Sequence, residues 1–263
     1  MGKRADVWET LTLLRFPAST DDATISDTVD KVWSLQYMAA GPVCGSAGPL
    51  TSMDTTSHSN PSTTTSTAPQ HSHAVLFRYG HQSIMQKFLE NPRTADMLQG
   101  STSTIVEDVS TICFQTSVPN ELEAIFRRGG EWDEGFEFVG ALSLQPGSNE
   151  SDALEFLDLT QQLATSSAFG AVQAAAGPCK QVLRHGGVLD DSQKIVLEQP
   201  DFMVLVRFQA KEQLDAFVQC PPVAAVLEGD ERSPLKAVWA GVLVVAPAEN
   251  SQSSPQTGAP RFP

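Results

Sequence analysis

His73 and Tyr79 are the two side chains of this sequence that best fit acid–base chemistry. They bound the segment 73–79, whose β-branched and aromatic residues predict a strand. Strand alternation puts His73, Val75, Phe77 and Tyr79 on one face, with Arg78 on the other. On that face an imidazole could exchange a proton near neutral pH and a phenol could donate a hydrogen bond. The alternative stays open that His73 is a hydrogen-bonded strand-end residue and Tyr79 a packed ring.

The histidine distribution raises the question of a metal site. Four of the five histidines, His58, His71, His73 and His81, fall within 24 residues. His71 and His73 on one strand would point the same way, a spacing compatible with a pair of metal ligands. No carboxylate or thiol stands beside them in the sequence to complete a set, so the sequence does not favour zinc and assigns no metal ligand.

The charge balance excludes two classes of partner. The 263 residues include 17 Lys and Arg against 31 Asp and Glu, a formal net charge of −14. Nucleic acids and anionic membranes attract positive surfaces, so neither is an expected partner. The four cysteines are widely spaced with no Cys-x-x-Cys pair, which favours a reducing compartment. No run of about 20 apolar residues and no targeting segment is present, so we predict a soluble cytoplasmic protein.

One pattern occurs twice along the chain, 129 residues apart. Val75–Tyr79 matches Val204–Phe208, and from 75 to 100 eight of 26 positions are identical at this offset. Upstream, Gly48-Pro49 matches Gly177-Pro178 at the same offset. An ordered series at one offset indicates an internal duplication.

Each copy predicts the order β-α-β-β-α-β, which is the ferredoxin-like arrangement. In the second copy, residues 151–164 are predicted to form a helix with apolar Leu154, Leu157 and Leu159. Two such units can pack sheet to sheet, so the predicted fold class is α+β, an intramolecular dimeric α/β barrel. The predicted domains are 6–118, with a flexible loop at 51–70, and 135–247, joined by a linker at 119–134. The Pro/Ser/Gln-rich tail 248–263 is predicted to be disordered.

The segments HAVLFRYGHQSIMQKFLENPRTADMLQG and DFMVLVRFQAKEQLDAFVQCPPVAAVLEG resemble the stress-response A/B barrel family of dimeric α+β barrels. That family is marked by a strand that opens with His and ends in an aromatic residue, then a short helix, then an aromatic residue and a His-Pro-x-His run. The resemblance covers both copies and implies a tandem plant or algal type that carries its own partner. Association of two such chains into a further homodimer stays open, and peroxisome or plastid are alternative locations.

The resemblance also implies an apolar ligand pocket in each half. Its residues would be the following: Phe77, Phe88 and Asn91 in the first copy, and Phe202, Phe208 and Phe217 in the second. One family member closes a linear polyketide with a His and a Tyr in this pocket. Here the Tyr position holds Phe88 and Phe217, and the His-Pro-x-His run begins at Asn91 and Cys220 without either histidine. That acid–base pair is therefore missing from this chain.

Three functional hypotheses follow from the sequence. The first is a module that binds or protects a small apolar molecule in stress response. The second is a cofactor-free, polyketide-cyclase-like enzyme that uses His73 and Tyr79. The third is a structural scaffold whose halves only bury each other. No cofactor is expected, although a Mg²⁺ ion held by backbone carbonyls around Gln36 to Pro42 stays open, since backbone ligands leave no sequence signature.

Overall fold

The structure is a computed structural model that describes residues 5–40, 44–53, 71–92, 94, 105–118, 135–186, 197 and 199–245. The predicted linker 119–134 and tail 248–263, and most of the predicted loop 51–70, lie outside these residues. So does most of the segment 93–99, which the sequence predicts to be a turn or a second short helix.

Eight strands and five helices are described. The first half, residues 5–118, contains β1 (Ala5–Arg15), α1 (Asp22–Ala40), β2 (Cys44–Ser52), β3 (His73–Tyr79), α2 (Gln82–Leu89) and β4 (Asp108–Val118). The second half, residues 135–245, contains β5 (Gly135–Leu144), α3 (Glu150–Ala164), β6 (Gln173–Gly186), β7 (Phe202–Phe208), α4 (Lys211–Val218), α5 (Pro221–Glu228) and β8 (Leu235–Val245).

The eight strands form one closed antiparallel barrel in the order β1-β3-β2-β8-β5-β7-β6-β4. The strands of each half are therefore neighbours, and the halves meet at two seams, β2 with β8 and β4 with β6. Glu9 lies opposite Arg78 in the first half, and Glu137 lies opposite Arg207 in the second. The prediction of an α+β fold is confirmed, in the form of an eight-stranded barrel with helices.

The repeated Gly-Pro pairs lie at the two seams. A methyl group on Gly48 would clash with the carbonyl oxygen of Val244 in β8, and one on Gly177 would clash with the carbonyl oxygen of Gln115 in β4. A side chain at either position would therefore push the two halves apart. Close approach of two backbones is the physical reason for glycine here.

The barrel interior is apolar in its middle and charged at one end. Alternate strand residues fill the middle: Leu11, Leu13, Leu76, Ile112, Phe114, Val139, Met203, Leu205 and Leu243. At the end where β1 and β5 begin, Glu9, Arg78, Glu137 and Arg207 are 0–2% exposed. The Arg78 Nε–H donates to Glu9 Oε1 at 2.7 Å, and Arg207 Nη1 lies 3.8 Å from Glu137 Oε2.

Polar side chains extend this charged cluster, and one of them crosses between the halves. The Ser46 hydroxyl of β2 donates to Glu137 Oε2 at 3.2 Å, although the two residues belong to different halves. Within the first half, the Thr116 hydroxyl donates to Glu9 Oε1 at 3.4 Å. The buried charges therefore connect the two halves as well as the strands within each half.

Helix α3 buries only one of the three apolar leucines named in the sequence. Leu157 is buried, but Leu154 is 44% and Leu159 is 58% exposed. At 100° per residue the two exposed leucines lie about 140° apart around the helix, so one sheet cannot cover both. Thr160 and Gln161 are buried instead, and the Thr160 hydroxyl donates to the Phe156 carbonyl at 2.8 Å.

Candidate ligand site between the helices and the sheet

The candidate site lies in the layer between the barrel and the helices of the first half. Val75, Phe77 and Tyr79 point out of the barrel into this layer, while Ala74, Leu76 and Arg78 point inward, as strand alternation predicts. Helices α1 and α2 cover the outward face. This layer is therefore separate from the charged barrel interior.

Aromatic side chains fill most of the layer. The Trp33 ring of α1 lies 5.8 Å from the Phe77 ring, and the Phe88 ring of α2 stacks on Tyr79 at 6.2 Å. Met85 and Phe88 are the buried face of α2. Aromatic pairs at these separations stabilise the packing by about 0.5–1.5 kcal/mol beyond their burial.

Two buried hydroxyl groups lie close to each other in this apolar layer. The Tyr79 and Thr10 side chains are 0% exposed, and neither oxygen makes a hydrogen bond of ordinary geometry within the part of the chain that the structure describes. Burial raises the pKa of Tyr79, and a weak side-chain hydrogen bond with the Thr10 hydroxyl lowers it by less. Cys113 lies directly opposite Thr10 on β4, and burial raises the pKa of its thiol to about 12. All three groups are thus neutral at physiological pH.

The equivalent layer of the second half has no such polar groups at these positions. Phe208 takes the position that Tyr79 has in the first half. Phe138 takes the position of Thr10, and Val242, which pairs with Phe138, takes the position of Cys113. Phe217 of α4 packs against Phe208 at 5.4 Å and against Phe138 at 6.1 Å. The same backbone framework therefore carries hydroxyls in one half and phenyl rings in the other.

Replacing Tyr79 with phenylalanine should raise the free energy of unfolding by about 1 kcal/mol. The Tyr79 hydroxyl has lost its water and gained only a weak contact with Thr10, so its removal relieves most of that desolvation cost. The mirror variant Phe208→Tyr should lower the free energy of unfolding by about 1–3 kcal/mol, because it buries a new hydroxyl. Urea denaturation of both variants measures this, and a destabilised Tyr79→Phe would contradict it.

His73 does not lie beside Tyr79. The two residues are the first and last of β3, so six residues at about 3.3 Å each put them about 20 Å apart. His73 is half-buried, its Nδ1 lies 3.1 Å from the Ser72 hydroxyl, and its ring packs edge-on to Phe16 at 5.4 Å. Burial lowers the pKa of His73, and the Asp22 carboxylate opposes that shift. One small substrate cannot reach both groups at once.

The other predicted pocket residues divide between the two layers. Phe77 and Phe88 lie in the layer of the first half, and Phe202, Phe208 and Phe217 in that of the second. Asn91 follows α2, where its N–H donates to the Phe88 carbonyl at 3.4 Å. The predicted set is therefore two separate groups of residues on two outer faces of the barrel.

Sequence reasoning missed a polar row beside Tyr79. His185 of β6 crosses the seam, and its Nε2 lies 2.8 Å from the Thr111 hydroxyl, which lies 3.0 Å from that of Thr12. Thr12 is two residues from Thr10 on the same face of β1. Threonines alternating with leucines in segment 10–13 were the signal available in the sequence. Nothing in the sequence placed His185 near them, since that contact depends on the β4–β6 seam.

Acidification should destabilise the fold through His185. Burial lowers the pKa of His185 to about 4, from its ordinary value of 6.5. Between these values the unfolded chain binds more protons than the folded one, so the free energy of unfolding falls as the pH falls. The slope from this group is at most about 1.4 kcal/mol per pH unit. Urea denaturation at pH 7 and pH 5 should show a smaller loss in His185→Gln than in the parent, and equal losses would contradict this.

The histidine pair considered as metal ligands separates in the structure. The His71 Nε2 lies 2.9 Å from Asp108 Oδ2, while His73 faces Ser72 and Phe16. Among the described residues, no group of three or more His, Cys, Asp or Glu side chains could hold a metal ion. Of the carbonyls considered for Mg²⁺, those of residues 36–40 belong to α1, and residues 41–42 lie outside the described part of the chain.

Comparisons with known proteins identify the fold. No family model and no curated protein matches the sequence. A solved structure named as a chlorite dismutase has a TM-score of 0.54 at 8% identity and covers 94% of this chain and 97% of its own. A protein named as a monooxygenase from Fusobacterium nucleatum has a TM-score of 0.51 at 7% identity, covering 92% and 93%. An anthrone oxidase-like protein has a TM-score of 0.50 at 10% identity and covers 92% of both chains.

At these identities the similarity shows the fold alone. The chain shares its α+β barrel with these proteins, and no match confirms the stress-response family that the sequence resembles. None of the described helices is long and apolar enough to cross a membrane.

The expectation that the protein has no cofactor is contradicted by the similarity to a structure named as a chlorite dismutase. A chlorite dismutase is named for a redox reaction of an oxyanion, and such chemistry is carried by a cofactor rather than by side chains. The described residues of this chain do not fit a metal-containing redox group. The layer of the second half is lined by phenyl rings and aliphatic side chains, and His73 in the first half is held by Ser72 at the strand end.

Proposed function

We propose that this protein binds a small aromatic molecule, in the layer between the helices and the sheet of the first half. In this proposal the segments 6–118 and 135–247 are the two halves of an intramolecular pseudo-dimer of the stress-response A/B barrel type. The matched pairs Glu9–Arg78 and Glu137–Arg207, and the glycines at both seams, support the pairing of two equivalent units.

The buried hydroxyls of Tyr79 and Thr10, which have only a weak contact with each other, carry the proposal. A buried hydroxyl without a good hydrogen bond costs up to about 1–3 kcal/mol, and the second half avoids this cost with Phe208 and Phe138. A ligand oxygen placed between the two hydroxyls would accept a hydrogen bond from each of them. This arrangement explains why the first half retains both groups.

The surrounding rings define the class of ligand. Phe77 and Phe88 offer ring faces, and Tyr79 and Thr10 offer hydrogen-bond donors, so a flat aromatic molecule with one phenol or ketone oxygen fits best. Similarity of fold to an anthrone oxidase-like protein is in keeping with an aromatic ketone. The separation of His73 from Tyr79 does not favour the cyclase-like alternative.

Helix α2 is the route of access in this proposal. It has only eight residues, and its N-terminus is held by the exposed His81, whose Nδ1 accepts from the Ser83 N–H at 3.2 Å. The Phe88 ring of this helix covers Tyr79. Outward movement of so short a helix would uncover the hydroxyls while the sheet stays in place.

Binding of 1-naphthol tests the proposal, with naphthalene as the matched probe without oxygen. Trp33 lies in the layer, so quenching of tryptophan fluorescence reports binding there. We expect 1-naphthol to bind at least tenfold more tightly than naphthalene, and Tyr79→Phe to abolish the difference. Phe208→Tyr in the second half is the control and should leave the difference intact. Equal binding of the two probes would contradict a role for the hydroxyls, and no saturable binding of either probe would favour a structural scaffold instead.

A further inference from the structure

A second polar cluster lies inside the barrel, at the end opposite the buried Glu and Arg side chains. His71 and Asp108 join across this end, with Nε2 and Oδ2 2.9 Å apart and side-chain exposures of 0% and 2%. The Ser110 hydroxyl donates to the same Asp108 oxygen at 3.2 Å. Ser110 alternates with Ile112 and Phe114 on the inward face of β4, so the cluster faces the barrel interior.

Only one of the two ring nitrogens of His71, Nε2, contacts Asp108. A carboxylate can only accept, so the Nε2 that faces Asp108 carries a proton. In the neutral imidazole the Nδ1 is then an acceptor, and it has no partner in the part of the chain that the structure describes. An imidazole fixed by a carboxylate on one side can accept a hydrogen bond at Nδ1 on the other.

Trp239 supplies the complementary group at the same end of the barrel. Ser52, the last residue of β2, pairs with Gly241, and Trp239 lies two residues further toward this end. It packs with Leu13, Leu50 and Ala74 in the interior cluster and is 1% exposed. Its Nε1–H, a donor only, also lacks a partner among the described residues.

We propose that this end of the barrel interior binds a small neutral molecule of the alcohol or amide class. Such a molecule donates a hydrogen bond to His71 Nδ1 and accepts one from the Trp239 Nε1–H. A neutral ligand fits because an anion would be buried next to the Asp108 carboxylate. The site is distinct from the Tyr79 layer, since the sheet lies between the two.

Acetamide is the probe, and N,N-dimethylacetamide, which accepts but cannot donate, is the matched control. The four tryptophans give four indole N–H signals in a ¹⁵N-labelled protein, and Trp239→Phe identifies that of Trp239. We expect acetamide to shift this signal and the His71 ring nitrogens saturably, with at least tenfold weaker binding of the control amide.

The Trp239→Phe variant and the detection of bound water provide two further tests of the proposal. Trp239→Phe should weaken acetamide binding at least tenfold when followed at the His71 nitrogens. Equal binding of both amides, or shifts that never saturate, would overturn the proposal. Detection of a long-lived water at both atoms with no saturable amide shift would overturn it too, because water alone would then satisfy the two groups.

Discussion

Replacing Arg78 with methionine should lower the free energy of unfolding by about 3–5 kcal/mol, the largest effect expected of any single change discussed. Arg78 and Glu9 are both 0% exposed inside the barrel. Without the guanidinium, the Glu9 carboxylate stays buried. Its long hydrogen bond from the Thr116 hydroxyl, at 3.4 Å, remains. A buried carboxylate that loses its guanidinium partner costs far more than the loss of one neutral hydrogen bond.

The double variant Glu9→Gln with Arg78→Met separates the effect of charge on stability from the effect of side-chain volume. It removes both charges and keeps side chains of similar size, so it should recover at least half of the stability that Arg78→Met loses. Arg207→Met, at the matched position opposite Glu137, should behave like Arg78→Met. Urea denaturation at pH 7 measures all three. A double variant as unstable as the single one would show that Arg78 acts by packing rather than by charge.

Much of the fold could be predicted from the sequence because the pattern that recurs after 129 residues and the strand alternation are both periodic signals. The offset that matches Val75–Tyr79 to Val204–Phe208 places these segments as equivalent strands, β3 and β7, each paired with the first strand of its half. Alternation along β3 also separates Tyr79 from Arg78 correctly. Such patterns follow from local backbone geometry, and they can therefore be recognised in a single sequence.

The contacts between distant strands could not be predicted in the same way. His185 reaches Thr111 only across the β4–β6 seam, and His71 reaches Asp108 across β1. Neither contact follows from the regular residue spacing of a helix or a strand, so the sequence pattern does not reveal it. The inward Arg78 received no role in the sequence reasoning because its partner Glu9 is 69 residues away.

Substituting alanine for Gly177 should lower the free energy of unfolding by about 3 kcal/mol. The added methyl group would clash with the backbone carbonyl oxygen of Gln115 across the β4–β6 seam. A backbone atom within a strand cannot turn aside as a side chain can, so the seam itself would have to widen. Gly48→Ala should have a similar effect, because its methyl group would meet the Val244 carbonyl at the other seam.

Gly140→Ala is the matched control within a barrel strand. There the new methyl group would meet the edge of the Phe138 ring at 3.1 Å, and a ring can shift by a few tenths of an ångström. We therefore expect Gly140→Ala to lower the free energy of unfolding by less than half as much as Gly177→Ala does, as measured by urea denaturation.

Because each seam joins one half to the other, Gly48→Ala and Gly177→Ala together should also let the halves separate before they unfold. A single cooperative transition in the double variant, with the stability of Gly140→Ala, would show that close backbone approach at the seams does not hold the halves together.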